Sequence, residues 1–318
     1  TPKFEEDEEI PADEAKIEKL IAPSADSHKF ELLPLGQVSL FVLYWLAGFY
    51  GGYVLVTRAK FATVIFTMLM VYLGMMGTLA GVHRLWTHRS YKAKPQLEAF
   101  LVFCFLLNNQ RPITDWARTH RLHHLCSDTD ADPHNAARGF FFAHVGWMMV
   151  KPHPEVVKRE KLIDVSDLKK NRIVAFQEKY IILLLILIPY VIPSVTPMLW
   201  GESFFVGHTV NFFRLLVTLN IVSLVNSATH LMGYKPIDKT VAGTQFGIAG
   251  IVCFGEGFHN YHHTFPYDYR ASELGDVKHN LATQFIHFFE TIGWAYDLKT
   301  TSDDVIRNRV LKKGDGTD

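Results

Sequence analysis

Residues 61–88 read FATVIFTMLMVYLGMMGTLAGVHRLWTH. No charge interrupts the stretch before residue 83, and about 20 helical residues suffice to cross a hydrocarbon core of ~30 Å. It runs directly into two histidines, His83 and His88, followed by Arg89, Lys92 and Lys94. A transmembrane helix that emerges carrying imidazole, the commonest protein ligand for metals, is the pattern around which the rest of the chain is read.

Three more segments have spanning length, at about 36–57, 178–200 and 207–229, alongside 61–82. They form two hairpins. The first turns at Thr57–Lys60, the second at Trp200-Gly-Glu-Ser203, which carries no Lys or Arg. Most of the positive charge lies outside the hairpins, Arg84 included, so the positive-inside rule makes those segments cytoplasmic. The apolar run from Leu97 to Leu107 is too short to cross and is expected to be interfacial or re-entrant. The expected fold is an all-α integral membrane protein with four transmembrane helices in two hairpins and a cytoplasmic histidine-rich catalytic cap. Residues 1–30 form an acidic flexible arm, 31–300 the membrane domain and 301–318 a C-terminal tail. The chain begins at Thr1 with no basic-then-apolar leader, so membrane entry is expected from the internal spans. The final Lys312–Asp318 is not a clear retrieval signal.

Two hairpins return the chain to one side, which is what a shared metal site needs. Two further clusters then join the first: His120-Arg-Leu-His123-His124 and His259-Asn-Tyr-His262-His263. Within each, residues three and four apart lie on one helix face. His83 and His88 are five apart, off-face for a regular helix, so the second span is expected to end or bend there. His230, one turn after Asn226 at the end of the fourth span, is a ninth candidate, and Asn226 could hold a metal-bound water. Nine imidazoles exceed the coordination number of one ion and imply two metals. His28, His134, His144, His153, His208, His279 and His287 are read as ordinary surface or core residues.

Composition leaves this reading room. Of 318 residues 48% are hydrophobic, and 32 basic side chains balance 32 acidic ones, so no field favours nucleic acid. Cys104, Cys126 and Cys253 lie far apart with no CxxC spacing, so neither a disulfide framework nor a thiolate zinc site is indicated and a reducing compartment is expected. Dinucleotide fingerprints are absent, so NADH is not expected to bind this chain directly.

The stretches Ala80–Lys92, Trp116-Ala-Arg118, Asp130–Asn135, Arg138–Phe142, His144–Trp147, Asn226–His230 and Gly255–His263, continuing through Phe265-Pro and Tyr269, resemble the membrane fatty acyl-CoA desaturases of the stearoyl-CoA desaturase type. The resemblance covers about residues 35–300. It implies a two-iron (Fe2+) centre held by His83, His88, His120, His123, His124, His230, His259, His262 and His263, with Asn226 acting through a water. It also implies O2-dependent insertion of a double bond, by default delta-9 and cis, into a long-chain acyl-CoA. Electrons would come from cytochrome b5 and its NADH-dependent reductase, in the endoplasmic reticulum membrane with the site facing the cytosol. Two related readings share the histidines: a di-iron hydroxylase or desaturase of another lipid-linked chain, and a non-catalytic lipid-binding relative.

A methylene in mid-chain has no acidity for a base to exploit, so a strong oxidant is required. Position along the chain must be measured by a shaped apolar tunnel. Trp116, four residues before His120, is a candidate tunnel wall. Thr119, Lys151-Pro152, Gln37 and Arg111 depart from the family text around the CoA head, although Arg111, Arg118 and Lys151 offer charge to phosphates. Val222-Ser223 departs where the tunnel is expected to bend. Met75, two turns before His83, stands where the tunnel is expected to close and predicts a preferred chain shorter than C18. Asp128, Asp130, Asp132 and Glu256 are candidates to accept an imidazole N–H from a ligand.

Overall fold

The computed structural model of the chain describes residues 29–272 and 280–317. Residues 1–28 of the acidic arm, with His28, and also His279 lie outside the described residues.

Among the described residues four helices have the length and apolarity to cross a bilayer. The first, α1, is Leu35–Thr57. The second, α2, is Phe61–Met76 and continues without a break as a π-helix over Gly77–Thr87. The third, α5, covers Ile181–Trp200, and the fourth, α6, is Phe204–Leu231. The third begins at Ile181 rather than 178 because Glu178 and Lys179 are the last two residues of a separate polar helix, Arg172–Lys179.

Length separates these helices into two kinds. At 1.5 Å per residue the 27 residues of Phe61–Thr87 and the 28 of Phe204–Leu231 each reach about 40 Å, some 10 Å more than the hydrocarbon core. Both overshoot on the same side, and their protruding ends carry His83, Asn226 and His230. They are also the inner helices, with 56% and 44% of their apolar windows buried against 17% for α1 and 22% for α5. The outer pair turns Leu43, Leu46, Phe49, Ile182 and Ile186 outward, as lipid-facing positions require.

At the opposite end the two hairpin turns are tied together. The Glu202 carboxylate accepts from the Lys60 backbone N–H and the Thr63 hydroxyl, both at 2.8 Å, and Lys60 Nζ donates to the Gly201 carbonyl at 2.6 Å. Between α1 and α6 the contact is close enough that a Cβ on Gly51 would fall 2.3 Å from the Thr209 carbonyl oxygen, so only glycine fits.

Helix α3, Pro95–Leu107, is the short apolar run, and it is buried inside the protein rather than laid flat on a surface. A Cβ on Gly77 would fall 2.0 Å from the Phe105 nitrogen, which shows how tightly the π-helical segment sits on it. Helix α4, Ile113–Cys126, follows, and the cap is completed by α7 (His259–Thr264), α8 (Leu281–Thr291) and α9 (Asp303–Lys313). Strand β1, Lys92–Ala93, pairs antiparallel with β2, Ala295–Tyr296, and stitches the exit of α2 to the C-terminal part of the cap. Within residues 301–318, α9 packs Ile306 against Ile237, Tyr261 and Phe265, behind the last histidine cluster.

Candidate metal centre

The helix carrying His83 ends within the His83–His88 cluster, as the spacing leads one to expect, at Thr87 with His88 as its C-cap, but it does not break at His83. It widens. The His88 N–H bonds to the His83 carbonyl at 3.1 Å, five residues back, and the Thr87 hydroxyl to the Val82 carbonyl at 2.7 Å. A π-turn places residues five apart on one face, which is why the two rings meet with centroids 4.9 Å apart.

Among the described residues nine imidazoles converge in the cap and divide into two groups. His83, His88, His120, His124 and His262 form one, and His123, His230, His259 and His263 the other, with the offered nitrogens of each group within 4.8 Å of one another. Each HxxHH helix feeds both groups in opposite proportions. Helix α4 gives His120 and His124 to the first and His123 to the second, while α7 gives His262 to the first and His259 and His263 to the second. Residues i and i+4 stay together because they stack on one helix face, and i+3 lies far enough round to reach the neighbouring group.

The donor nitrogens point at each other. Nε2 of His83 lies 2.9 Å from Nε2 of His262, and Nε2 of His124 lies 3.1 Å from those of both His120 and His262. In the second group Nε2 of His259 lies 3.1 Å from that of His230 and 2.9 Å from that of His263. Imidazole nitrogens about 2.1 Å from one ion and at right angles about it stand about 3.0 Å apart, so these separations fit a shared cation. His88 Nε2 is buried with no hydrogen-bond partner, a further nitrogen left for an ion.

Electrostatics agree with neutral ligands. His88, His120, His124, His259, His262 and His263 are all held well below the ordinary imidazole value, first by burial and then by one another. Lone pairs directed at a common point repel unless a cation stands there. His123 differs. Burial pulls it down, but the Asp132 carboxylate, 2.9 Å from its Nδ1, raises it above the ordinary value.

Three of the four carboxylates singled out in the sequence meet histidines. Asp132 holds His123, Asp128 reaches His230 Nδ1 at 3.2 Å, and Glu256 stands 3.5 Å from His83 Nδ1. Glu256 is itself held by Arg84 at 2.7 Å; burial would push its carboxyl up, but Arg84 and His83 bring it down to about 2. Asp130 does otherwise and pairs with Arg138. His134, read as ordinary, belongs to a third buried group with His123 and Asp132. Its position beside Asp132 in Asp-Pro-His is the signal that points to it. His144, His153, His208 and His287 have polar partners away from the nine.

Beside the first group lies a cavity of about 340 Å³ lined by Trp116, His120, Asn226 and the α1 residues Phe41 and Tyr44. Leu219, Val222, Ser223 and Asn226 supply one stripe of α6 to it, and Asn108, Asn109 and Gln110 the loop after α3. The Trp116 ring stacks on His120 at 4.8 Å, and its Nε1 donates to Gln110 at 2.6 Å. Arg111 lies in this lining and also in that of a more polar recess with Arg138 and Lys151, so the two adjoin.

The other expected substrate contacts lie outside this cavity. Gln37 is exposed on α1 outside both linings. Arg118 pairs with Asp115 at 2.7 Å and lines an outer groove with Lys161 and Lys169, because the α4 face that carries it is opposite the one carrying His120. Lys151 is exposed and paired with Glu31 at 2.6 Å. Met75 is fully buried but one layer behind the wall, its sulfur 3.9 Å from Nδ2 of Asn108.

Residues 59–293 match the family model described as fatty acid desaturase. Over 98% of its length the chain is 47% identical to an acyl-CoA Delta(11) desaturase of Choristoneura rosaceana, covering 92% of that protein. It is 47% identical to an acyl-CoA Delta-9 desaturase of Acheta domesticus, over 88% of this chain and 79% of the other. With stearoyl-CoA desaturase 5 of Bos taurus it shares 41% identity over 93% and 88% of the two chains. The matched region holds all nine converging imidazoles and the helices that carry them, and the chain belongs to the membrane fatty acyl-CoA desaturases.

Proposed function

We propose that the protein introduces a cis double bond into a long-chain acyl-CoA at a di-iron centre, with delta-9 as the default position. The observation that carries the reading is the division of nine imidazoles into two groups, the first of them beside a cavity. His83, His88, His120, His124 and His262 would hold one iron, and His123, His230, His259 and His263 the other, with Asn226 placing a water. Bound there, the irons would supply the activation of O2 needed to take two hydrogens from neighbouring methylenes. The balance is one O2, two electrons and two protons in, two waters out. The electrons are assigned to cytochrome b5 and its NADH-dependent reductase.

The chain's own residues bind and orient. Arg111, Arg138 and Lys151 stand among Asp130, Asp132 and Glu160 at the recess where the phosphates of CoA would rest, so phosphate would compete with Asp130 for Arg138 and with Glu31 for Lys151. Arg118, Lys161 and Lys169 line the outer groove with Glu160 and Asp164. The thioester arm enters past Arg111 and Trp147. Trp116 and the Leu219–Asn226 stripe then hold the alkyl chain with its reacting carbons level with His120. Asp132 and Asp128 accept ring N–H groups from His123 and His230 and fix which nitrogen each presents, while Glu256 stands 3.5 Å from His83 Nδ1. The basic segments around the cap support a cytosolic active site in the endoplasmic reticulum membrane.

Relatives named for Delta(11) and Delta-9 products stand at the same 47% identity, which makes delta-11 the specific second reading. Expression in yeast lacking its own desaturase, with double bonds located by mass spectrometry, tests the proposal. New monoenes that vanish with His120→Ala would support it and report the position. Hydroxylated products, or no product from well-expressed, iron-loaded protein, would refute it.

A further inference from the structure

Helix α6 buries an arginine within the membrane. Arg214 stands ten residues, about 15 Å, from the start of the helix at Phe204, half the depth of a ~30 Å core, and it is 1% exposed. Charge at that depth is costly and by default signals function. Among the described residues no carboxylate lies within ion-pairing distance of it.

Its partners are carbonyl groups left over by two interrupted helices. Nη1 donates to the Leu107 carbonyl at 2.8 Å and Nη2 to the Pro189 carbonyl at 3.1 Å. Nε donates to Asn211 Oδ1 at 2.8 Å, and Asn211 Nδ2 donates to the same Pro189 carbonyl, also at 2.8 Å. The Pro189 carbonyl lacks its helical donor because residue 193, four further on, is proline. Leu107 ends α3, where unpaired carbonyls gather the negative end of the helix dipole.

The next three residues after Leu107 are Asn108, Asn109 and Gln110, all in the cavity wall. Asn109 Nδ2 donates to the Tyr190 hydroxyl at 2.6 Å, beside Pro189. On α6 the cavity descends from Asn226 to Leu219, and Arg214 comes five residues deeper. One guanidinium thus joins α3, α5 and α6 just where the wall leaves α3.

We propose that Arg214 is a positioning residue for the substrate: it clamps the 108–110 wall to α5 and so sets how far an acyl chain advances before its reacting carbons meet His120. This rests on the acyl-CoA desaturase reading above. Arg214 touches no reacting atom and acts through Leu107, Pro189 and, beyond them, Asn109 and Tyr190.

Two measurements on the full chain test the clamp. In lipid nanodiscs, hydrogen exchange of Arg214→Gln should speed up at residues 107–111 and leave α4 unchanged. In desaturase-deficient yeast, Tyr190→Phe, which removes the Asn109 acceptor without touching the buried charge, should change the ratio of neighbouring chain-length or positional products. The expected change is about tenfold, the lower end of the discrimination of one methylene in an apolar pocket. Arg214→Gln should shift the ratio the same way, and Arg214→Lys should restore it in part. Unchanged exchange at 107–111, or a uniform loss of product at constant ratio in Tyr190→Phe, would overturn the proposal. If the unmutated chain makes no monoene, the functional reading fails, and the exchange experiment alone decides whether the clamp stands.

Discussion

Nε2 of His83 and Nε2 of His262 lie 2.9 Å apart although 179 residues separate them in the chain. One comes from the protruding end of a membrane span and the other from a short helix of the cap. The span's excess length and the π-turn bring the first to the second, and a cation between them is the simplest reason for the approach.

Two ions per chain are therefore expected. Metal analysis of purified protein should give close to two irons, falling toward one in His88→Ala and in His263→Ala, with desaturation reduced by at least about a hundredfold in each, as removal of groups acting as a unit implies. Full metal retention in both variants would contradict the grouping.

Asp132→Asn should act on the second group alone. The amide keeps the size but removes the charge beside His123, and loss of such a supporting carboxylate weakens metal binding by about 10–100-fold. Competition with a chelator should strip the ion of the second group first and that of the first group only at higher chelator. Equal weakening of both would show that Asp132 supports the whole cap.

Met75→Ala should move the preferred chain length upward. The side chain is fully buried behind Asn108, so its removal lets the wall retreat rather than opening the cavity directly. Acyl-CoA competition assays would register the change. An unchanged preference would remove Met75 from the set of length-determining residues.

Acid sensitivity follows from Asp268, whose carboxylate accepts from Tyr261 Oη and the Thr301 N–H at 2.7 Å and pairs with Arg270. Burial alone would raise its carboxyl, but Arg270, Thr301 and Tyr261 hold it below the ordinary 3.8. A carboxyl lowered on folding adds stability above its unfolded value, and that contribution fades as pH falls through the lower folded value. Melting curves of Asp268→Asn should thus lie below those of the unmutated protein at neutral pH and converge with them under pH 3.8. Parallel curves throughout would sink the assignment.

Much of this architecture is legible in the sequence, and the failures share a cause. Apolar length finds all four spans because lipid leaves a helix few alternatives. It misplaces the end of α2, since residues 83–87 are no longer apolar and only their packing against α3 and α4 keeps them helical. Spacing puts His120, His123 and His124 on one face but cannot divide them, because the division depends on where α7 arrives from 135 residues away. Asp130 and Asp132 look equivalent in the sequence, yet only Asp132 faces His123 while Asp130 turns to Arg138. Arg214 carries a visible signal, a lone charge within a long apolar run, and that signal goes unread when such a run is scored only for length.

The crossed allotment of α4 and α7 ties the two ions to each other. An ion in either group must hold both helices at once, so the first to bind sets the spacing that the second requires. Occupancy of the pair should rise together and more steeply with free metal than independent sites allow. The unmutated cap would then pass almost directly from empty to complete during maturation, and half-loaded protein would gather only where a substitution weakens one group.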